Sequence, residues 1–520
     1  MPGASWLGRA ALTAWGVFLV GALTWPFLFA FGSPTASFAL RDMMVLPHPA
    51  LTHAALGFGD LPARSAPQDG VLAVVGKLVP ATWFVALLMV TSAGAAAWTG
   101  SRVGTGPWTK AAAMTVAVWN PFVVERMLQG QWSLALAAWL LPAVAVCRGP
   151  AQLLAVSGAS LTPTGGLFAL FTFLSTSPRP RTALFPLAAC APWVFPALLS
   201  GLGSGTSPAA SAAAFAPRAE TFTGTLGALL GTGGIWNSAA VPASRESGFA
   251  LAGVLLFGVL CLAARHVPRP LLVLAGIGLT VPLVSWLLPG LMAWFVATVP
   301  GAGLFRDAQK FVALALPAFV VAAGRIDRVN LRLPFPVLLA RVCPALVCLL
   351  AIIQVPDAPR AIAALAPVQV SVPDIDHRGR DLFFDGRPHL LTRPDGIPIV
   401  DPATKAMNVV ESGELVVDGI IVDTPSPRWR AAQDIYGTAP RDPADIAADG
   451  RDVQRFYSDP QVALVVHPDG TVEDTGYPAR PLPRSGIALL TLWMLLPLFA
   501  FTPVFLRLAS QRRSFRTARP

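Results

Sequence analysis

From Ala10 to Gly32 the chain has no charged side chain, and comparably apolar stretches recur along most of its length. About twenty apolar residues are what a helix needs to cross the hydrocarbon of a bilayer. In lipid every backbone N–H and C=O must be paired within the spanning segment, so such runs become helices. The charge balance agrees: 13% of the 520 residues are charged and 54% are hydrophobic, whereas soluble domains carry roughly 25% charged residues. So few charges cannot cover a water-facing surface of this size. The expected class is an all-α polytopic membrane protein.

Apolar length places spans at 10–32, 80–98, 109–127, 132–147, 182–202, 248–265, 270–288, 309–324, 338–355 and 486–506, about ten in all. The first has only Arg9 before it and no small-residue cleavage site after it, so it is expected to remain as an anchor. Residues 151–176 are apolar but interrupted by Leu161-Thr162-Pro163-Thr164-Gly165-Gly166. Proline removes a donor and glycine loosens the backbone, so two half-helices are expected there, either re-entrant or crossing. Both choices leave the same parity.

Orientation follows the basic residues near span ends. Arg9, Arg102, Lys110, Arg148, Arg179, Arg181, Arg265, Arg269, Arg325, Arg328, Arg332 and the arginines of 507–520 can all be cytoplasmic together. Both termini are then on the cytoplasmic side of the plasma membrane, and segments 33–79, 203–247 and 356–484 face outward. The Ser/Ala/Gly-rich part, 203–214, reads as a flexible loop.

Residues 356–484 differ from the rest. They hold 20 acids and 13 Lys/Arg, a net −7, while the remainder of the chain is +17. Short β-like runs at Glu414–Val422 and Val462–Val466 alternate with helical stretches at Arg428–Ile435 and Pro443–Tyr457. A small extracytoplasmic α+β domain is expected. The transmembrane domain is then 1–355, a last span is 485–506, and 507–520 is a basic tail. The net charge of +10 does not indicate nucleic acid, because the basic residues punctuate apolar segments and form no patch. The five cysteines (Cys147, Cys190, Cys261, Cys343, Cys348) avoid the acidic domain and read as small buried hydrophobes.

Ionisable groups at membrane depth or at its rim are costly, which makes them candidates for function. Four outward clusters qualify. Arg41-Asp42 follows the first span, and Asp69 closes the same loop; a carboxylate beside arginine is expected to stay ionised. Asp42, and with lower priority Asp69, could serve as a general base, or the Arg–Asp pair could only cap a helix. Residues 119–132, Trp-Asn-Pro-Phe-Val-Val-Glu-Arg-Met-Leu-Gln-Gly-Gln-Trp, join two spans with almost no loop. Glu125 and Gln129 share a helical face there, and Arg126, Gln131 and Trp132 complete a group that either faces substrate or clasps two helices. Arg306, Asp307, Gln309 and Lys310 begin a later span. Two cations on the outer side of a helix N-terminus are doubly disfavoured. They point to a bound phosphate, or to pairing with Asp307 or the acidic domain. Trp236 and Asn237, after Gly233-Gly234, suit a sugar platform or an interfacial anchor.

Walker, HExxH and GxSxG sequences are absent and the six histidines are scattered. ATP-driven transport and zinc hydrolysis are disfavoured, and a divalent cation has no motif to hold it.

Together, RDMM after the first span, WNPFVVERMLQGQW, LTPTGG, GGIWN and LFRDAQKF resemble the arabinofuranosyltransferase-like membrane proteins of mycolic-acid-bearing actinobacteria. These belong to the GT-C superfamily of polyprenyl-phosphate-sugar-dependent glycosyltransferases. The resemblance covers most of 1–330. It implies a lipid-linked sugar donor, arabinofuranose or mannose, and an envelope glycan or lipoglycan acceptor. It implies Asp42 as catalytic acid–base, with Arg306, Lys310 and Arg126 on the donor phosphate. Arg41, Glu125, Gln129, Gln131, Trp132, Trp236, Asn237, Asp307 and Gln309 would contact substrate. Asp42 has no neighbouring acid to form the pair that many members carry. A flippase for a lipid-linked intermediate and an inactive envelope scaffold are the alternative expectations.

Overall fold

A computed structural model describes residues 2–177, 183–201, 207–329, 336–417, 419–438 and 459–501. The expected helix Pro443–Tyr457, Arg179, Arg181, Arg332 and the tail beyond 501 lie outside them. Among the described residues the molecule is mainly helical, and four helices are long and apolar enough to cross a membrane: Gly8–Gly32, Ala81–Val103, Arg269–Leu287 and Arg341–Leu365. Shorter apolar helices, Trp132–Val146, Leu184–Leu199, Ala250–Leu262, Pro289–Thr298, Ala308–Gly324 and Arg484–Phe499, pack around them.

Proline starts many of these helices. Pro107, Pro121, Pro150, Pro163 and Pro289 each occupy a first turn, where the missing N–H has no partner to lose and φ is already helical. This punctuation corrects two expectations. Residues 109–127 form two helices, Pro107–Val118 and Pro121–Leu128, because Trp119 is extended and the Asn120 side chain caps the second by accepting from Val123 N at 3.0 Å. A helix absent from the expected spans, Pro289–Thr298, follows directly on Arg269–Leu287.

The half-helices expected within 151–176 are Pro150–Ala159 and Pro163–Thr176. A Cβ on Gly165 would lie 2.2 Å from Ala159 O and 2.6 Å from Ala137 Cβ, so glycine there permits close helix approach. Trp493 of the last described helix donates to Ser160 Oγ at 2.8 Å and closes the break. Within the expected loop 203–214, Ala210–Ala214 is a short helix whose Ala212 packs on Met292 and Val296. Cys190 is buried and three other cysteines are half-buried, but Cys261 points outward.

The acidic block carries a four-stranded sheet in the order Val472–Asp474, Leu464–Val466, Asp381–Phe384, Asn408–Val409, with one antiparallel and two parallel pairings. Alternation along Asp381–Phe384 supplies both faces of this sheet. Leu382 and Phe384 pack with Ala403, Met407 and Leu464, while Phe383 packs with Val410, Ala432, Val462 and Val465. Ala432 belongs to helix Pro427–Tyr436, which Ser426 caps. The β-like run at 414–422 is a hairpin, Leu415–Val417 with Ile420–Asp423.

The block is not separate from the first loop. Ser37 and Val368 exchange two backbone hydrogen bonds of 2.8 Å, and Arg41 N donates to Pro398 O at 2.9 Å. Ala39, Met44 and Leu46 share a core with Ile399.

Candidate active site

Phe38–Leu40 and Met43–Val45 pair antiparallel with Leu40 opposite Met43, which leaves Arg41-Asp42 as a two-residue turn. Arg41 has φ +48°, the positive value that such hairpin turns require. The turn rests on Gly130, whose own φ is +84°. A Cβ there would lie 2.2 Å from Leu40 O and 2.3 Å from Met43 N, so only glycine admits the contact. Asp42 N then donates to Gln129 O at 3.2 Å.

This turn separates the two charges expected to pair. Arg41 reaches away, donating to Leu128 O at 2.5 Å and Ala239 O at 2.6 Å. Asp42 instead accepts from Gln131 Nε2 at 3.1 Å. Burial pushes its pKa up, against the hydrogen bonds of Gln131 and Gln129 that favour the carboxylate. The expected Arg41–Asp42 pair is therefore corrected, because the two side chains take different partners. Asp42 is itself exposed, and its backbone N–H and its carboxylate are held by Gln129 O and Gln131 Nε2.

Behind Asp42 lies a buried chain of polar groups. Arg126, fully buried, grips Asp307 with both terminal nitrogens, at 2.5 and 3.0 Å. Its Nη1 also donates to Gln131 Oε1 at 2.6 Å, and its Nη2 to Gln309 Oε1. Gln131 thereby connects Arg126 to Asp42. Gln309 Nε2 donates to Gly233 O at 3.0 Å, Glu125 Oε2 accepts from Ile235 N at 3.0 Å, and Gln129 Oε1 accepts from Asn237 Nδ2 at 2.7 Å. All four clusters, distant in sequence, meet here.

Several expected ligands are consequently framework. Arg126 is occupied by Asp307, and Glu125, Gln129 and Gln309 are buried in holding the 233–237 loop. Trp132, 1% exposed, is a core residue. Trp236 is partly buried and sets its ring edge-on to Phe215 at 4.6 Å. Sequence reasoning did not pick out Arg245, a fully buried arginine that binds Glu220. Glu220, an acid in the glycine-rich outer loop of the fourth cluster, was the available signal.

The third cluster also reaches the acidic block. Arg306 forms two bonds to Asp423 of the acidic block, at 2.6 and 2.8 Å, and stacks over Phe215 with Cζ 4.5 Å from the ring centre. Arg64 approaches the same carboxylate at 3.4 Å. Burial would raise the Asp423 pKa, but the two guanidinium groups hold it below the usual carboxylate range. Arg64 and Asp423 were both missed, since 359 residues separate them.

Lys310 is different. It is 9% exposed, lies within electrostatic range of Asp307, Arg126, Arg306 and Arg64, and its ammonium has no hydrogen bond or ion pair among the described residues. Residues 308–315 form a 3₁₀ helix, preceded by Asp307. Three residues complete a turn in such a helix, so the expected shared face of Arg306 and Lys310 at a four-residue spacing does not form. Arg64, Arg126, Arg306 and Lys310 confront Asp42, Asp307 and Asp423, so at least one positive charge is left over.

Asp69 is not part of this group. It binds Lys405 of the acidic block at 2.7 Å, near Glu411, whose pKa burial pushes to about 7. Among the described residues no three His, Cys, Asp or Glu side chains gather to hold a metal. Comparison of the chain with known protein families, characterised proteins and solved structures finds no match.

Proposed function

We propose that this protein is a membrane glycosyltransferase of the GT-C kind, moving a sugar from a polyprenyl-phosphate donor to an envelope glycan on the outer face of the plasma membrane. The observation that carries the proposal is Lys310, a nine-tenths-buried ammonium without a partner among the described residues, set beside Asp307 and Arg126, the two charged groups that also lie close to Asp42. A buried unpaired cation is costly, and a donor phosphate would neutralise it.

Asp42 removes the proton from the acceptor hydroxyl, whose oxygen attacks the anomeric carbon. The bond from that carbon to the phosphate oxygen breaks, and the polyprenyl phosphate leaves with the electron pair. Lys310 stabilises the charge that grows on the leaving oxygens. A pKa raised by burial brings Asp42 nearer to neutrality, where a general base is most effective. Arg126 and Arg306, already bound to Asp307 and Asp423, contribute field and position. Arabinofuranose and mannose are the sugars that the sequence resemblance favours, in cell-wall biogenesis of an actinobacterial type.

The test is label transfer by full-length protein from radiolabelled decaprenyl-phospho-arabinose or polyprenyl-phospho-mannose to envelope lipoglycan. Asp42→Asn should abolish transfer with donor binding kept, and Lys310→Gln should lose donor binding. Transfer by Asp42→Asn at the wild-type rate would refute the assignment. The helix break at 160–162 favours a flippase as second reading. It would show as movement of the lipid-linked sugar across proteoliposomes without a new glycosidic bond.

A further inference from the structure

Two guanidinium groups converge on Asp423. Arg306 takes both oxygens, at 2.6 and 2.8 Å, and leaves Arg64 a single 3.4 Å contact. One carboxylate between two arginines leaves a full positive charge uncompensated. The remaining donors of the Arg64 guanidinium have no partner among the described residues.

Arg64 and Lys310 stand at different depths. The Arg64 side chain is 59% exposed, whereas Lys310 is 9% exposed. They influence each other electrostatically, and Arg64 also lies within range of Asp42. Lys310 is thus an under-used cation in the interior and Arg64 another at the surface. An isolated surface arginine would be solvated and of little consequence. Arg64 is exposed but not isolated, because it shares the Asp423 carboxylate with Arg306, a like charge. A planar guanidinium with free donors binds carboxylate or phosphate in a two-pronged geometry.

We infer that Arg64 is a specificity residue for an anionic acceptor, a glycan bearing a carboxylate or phosphate within about one sugar unit of the attacking hydroxyl. This rests on the glycosyltransferase reading, in which the single donor phosphate occupies Lys310. A neutral acceptor would enter past Arg64 and leave its charge unanswered. An anionic one neutralises it while the hydroxyl reaches Asp42.

The test uses full-length protein in detergent and four probes: inorganic phosphate, mannose 6-phosphate, methyl glucuronide and methyl glucoside, with binding followed by calorimetry or ligand-observed NMR. The wild type should bind at least one anionic sugar about tenfold more tightly than methyl glucoside, the gain of about one charge-assisted contact. Arg64→Gln should erase that preference and leave inorganic phosphate within about twofold, a retained affinity that also shows the variant is folded. Arg64→Lys should restore part of it. Response to the glucuronide alone or to the sugar phosphate alone identifies the anion. An anionic preference unchanged in Arg64→Gln, or no preference in the wild type, overturns the inference. Phosphate binding that does not depend on Lys310 would instead overturn the donor-site reading, and the Arg64 comparison would stand apart from it.

Discussion

Gly130 supports the turn that carries Asp42, and Gly130→Ala makes that support measurable. Two costs are distinct. The residue holds φ +84°, and a non-glycine residue in the left-handed region costs about 1–2 kcal/mol. The added Cβ would also lie 2.2 Å from Leu40 O and 2.3 Å from Met43 N, so the hairpin must retreat by roughly 1 Å to reach ordinary contact. A misplacement of about 1 Å at a reacting group lowers rate by about 100-fold. Gly149 is the control: its φ is +68°, and a Cβ added there meets nothing within 4 Å, so Gly149→Ala incurs the backbone cost alone.

Thermal unfolding in detergent should therefore fall for both variants. Hydrogen exchange across 38–45 should rise for Gly130→Ala only, and label transfer should drop about 100-fold for Gly130→Ala but less than about threefold for Gly149→Ala. Equal transfer rates and equal exchange in the two variants would refute the claim that Gly130 positions Asp42.

Three further outcomes follow from buried charge. Asp307→Asn leaves Arg126 fully buried without its counter-ion and should cost about 3–5 kcal/mol in unfolding, with stability recovered in the Arg126→Met, Asp307→Leu double variant. Asp423→Ala frees Arg306 and should cost about 2 kcal/mol, read as faster hydrogen exchange in 415–423 and at Phe305–Asp307. Glu411 has a folded pKa of about 7, above its unfolded value. Its contribution is fully present below the unfolded pKa and is lost as pH rises through about 7. Melting temperature should thus fall between pH 5 and 8 in the wild type, and Glu411→Gln should flatten that decline; an identical pH profile in the variant counts against the assignment.

How far the chain could be read in advance depended on the range of the interaction. Apolar length located the helices, and alternating runs located Leu464–Val466 and the hairpin at 415–423, because both signals are local. The break at Trp119-Asn120 was also local: Asn120-Pro121 is a cap followed by a first-turn proline, yet the uninterrupted hydrophobicity obscured it. Arg41 and Asp42 were misjudged because adjacency in sequence suggested pairing, whereas a two-residue turn sends the side chains to different partners. The link from Asp307 through Arg126 and Gln131 to Asp42, and the meeting of Arg64 with Asp423, join positions that no spacing rule relates. Such contacts are set by packing of the whole chain.

The 3₁₀ segment has a consequence for thickness. A 3₁₀ helix rises about 2.0 Å per residue and an α-helix about 1.5 Å. The eight residues of Ala308–Ala315 and the nine of Leu316–Gly324 therefore extend about 30 Å end to end, where a wholly α-helical segment would extend about 26 Å. The hydrocarbon core of a bilayer is about 30 Å thick. Stretching the first half allows a segment that is short by residue count to match that dimension, with Lys310 kept near one end.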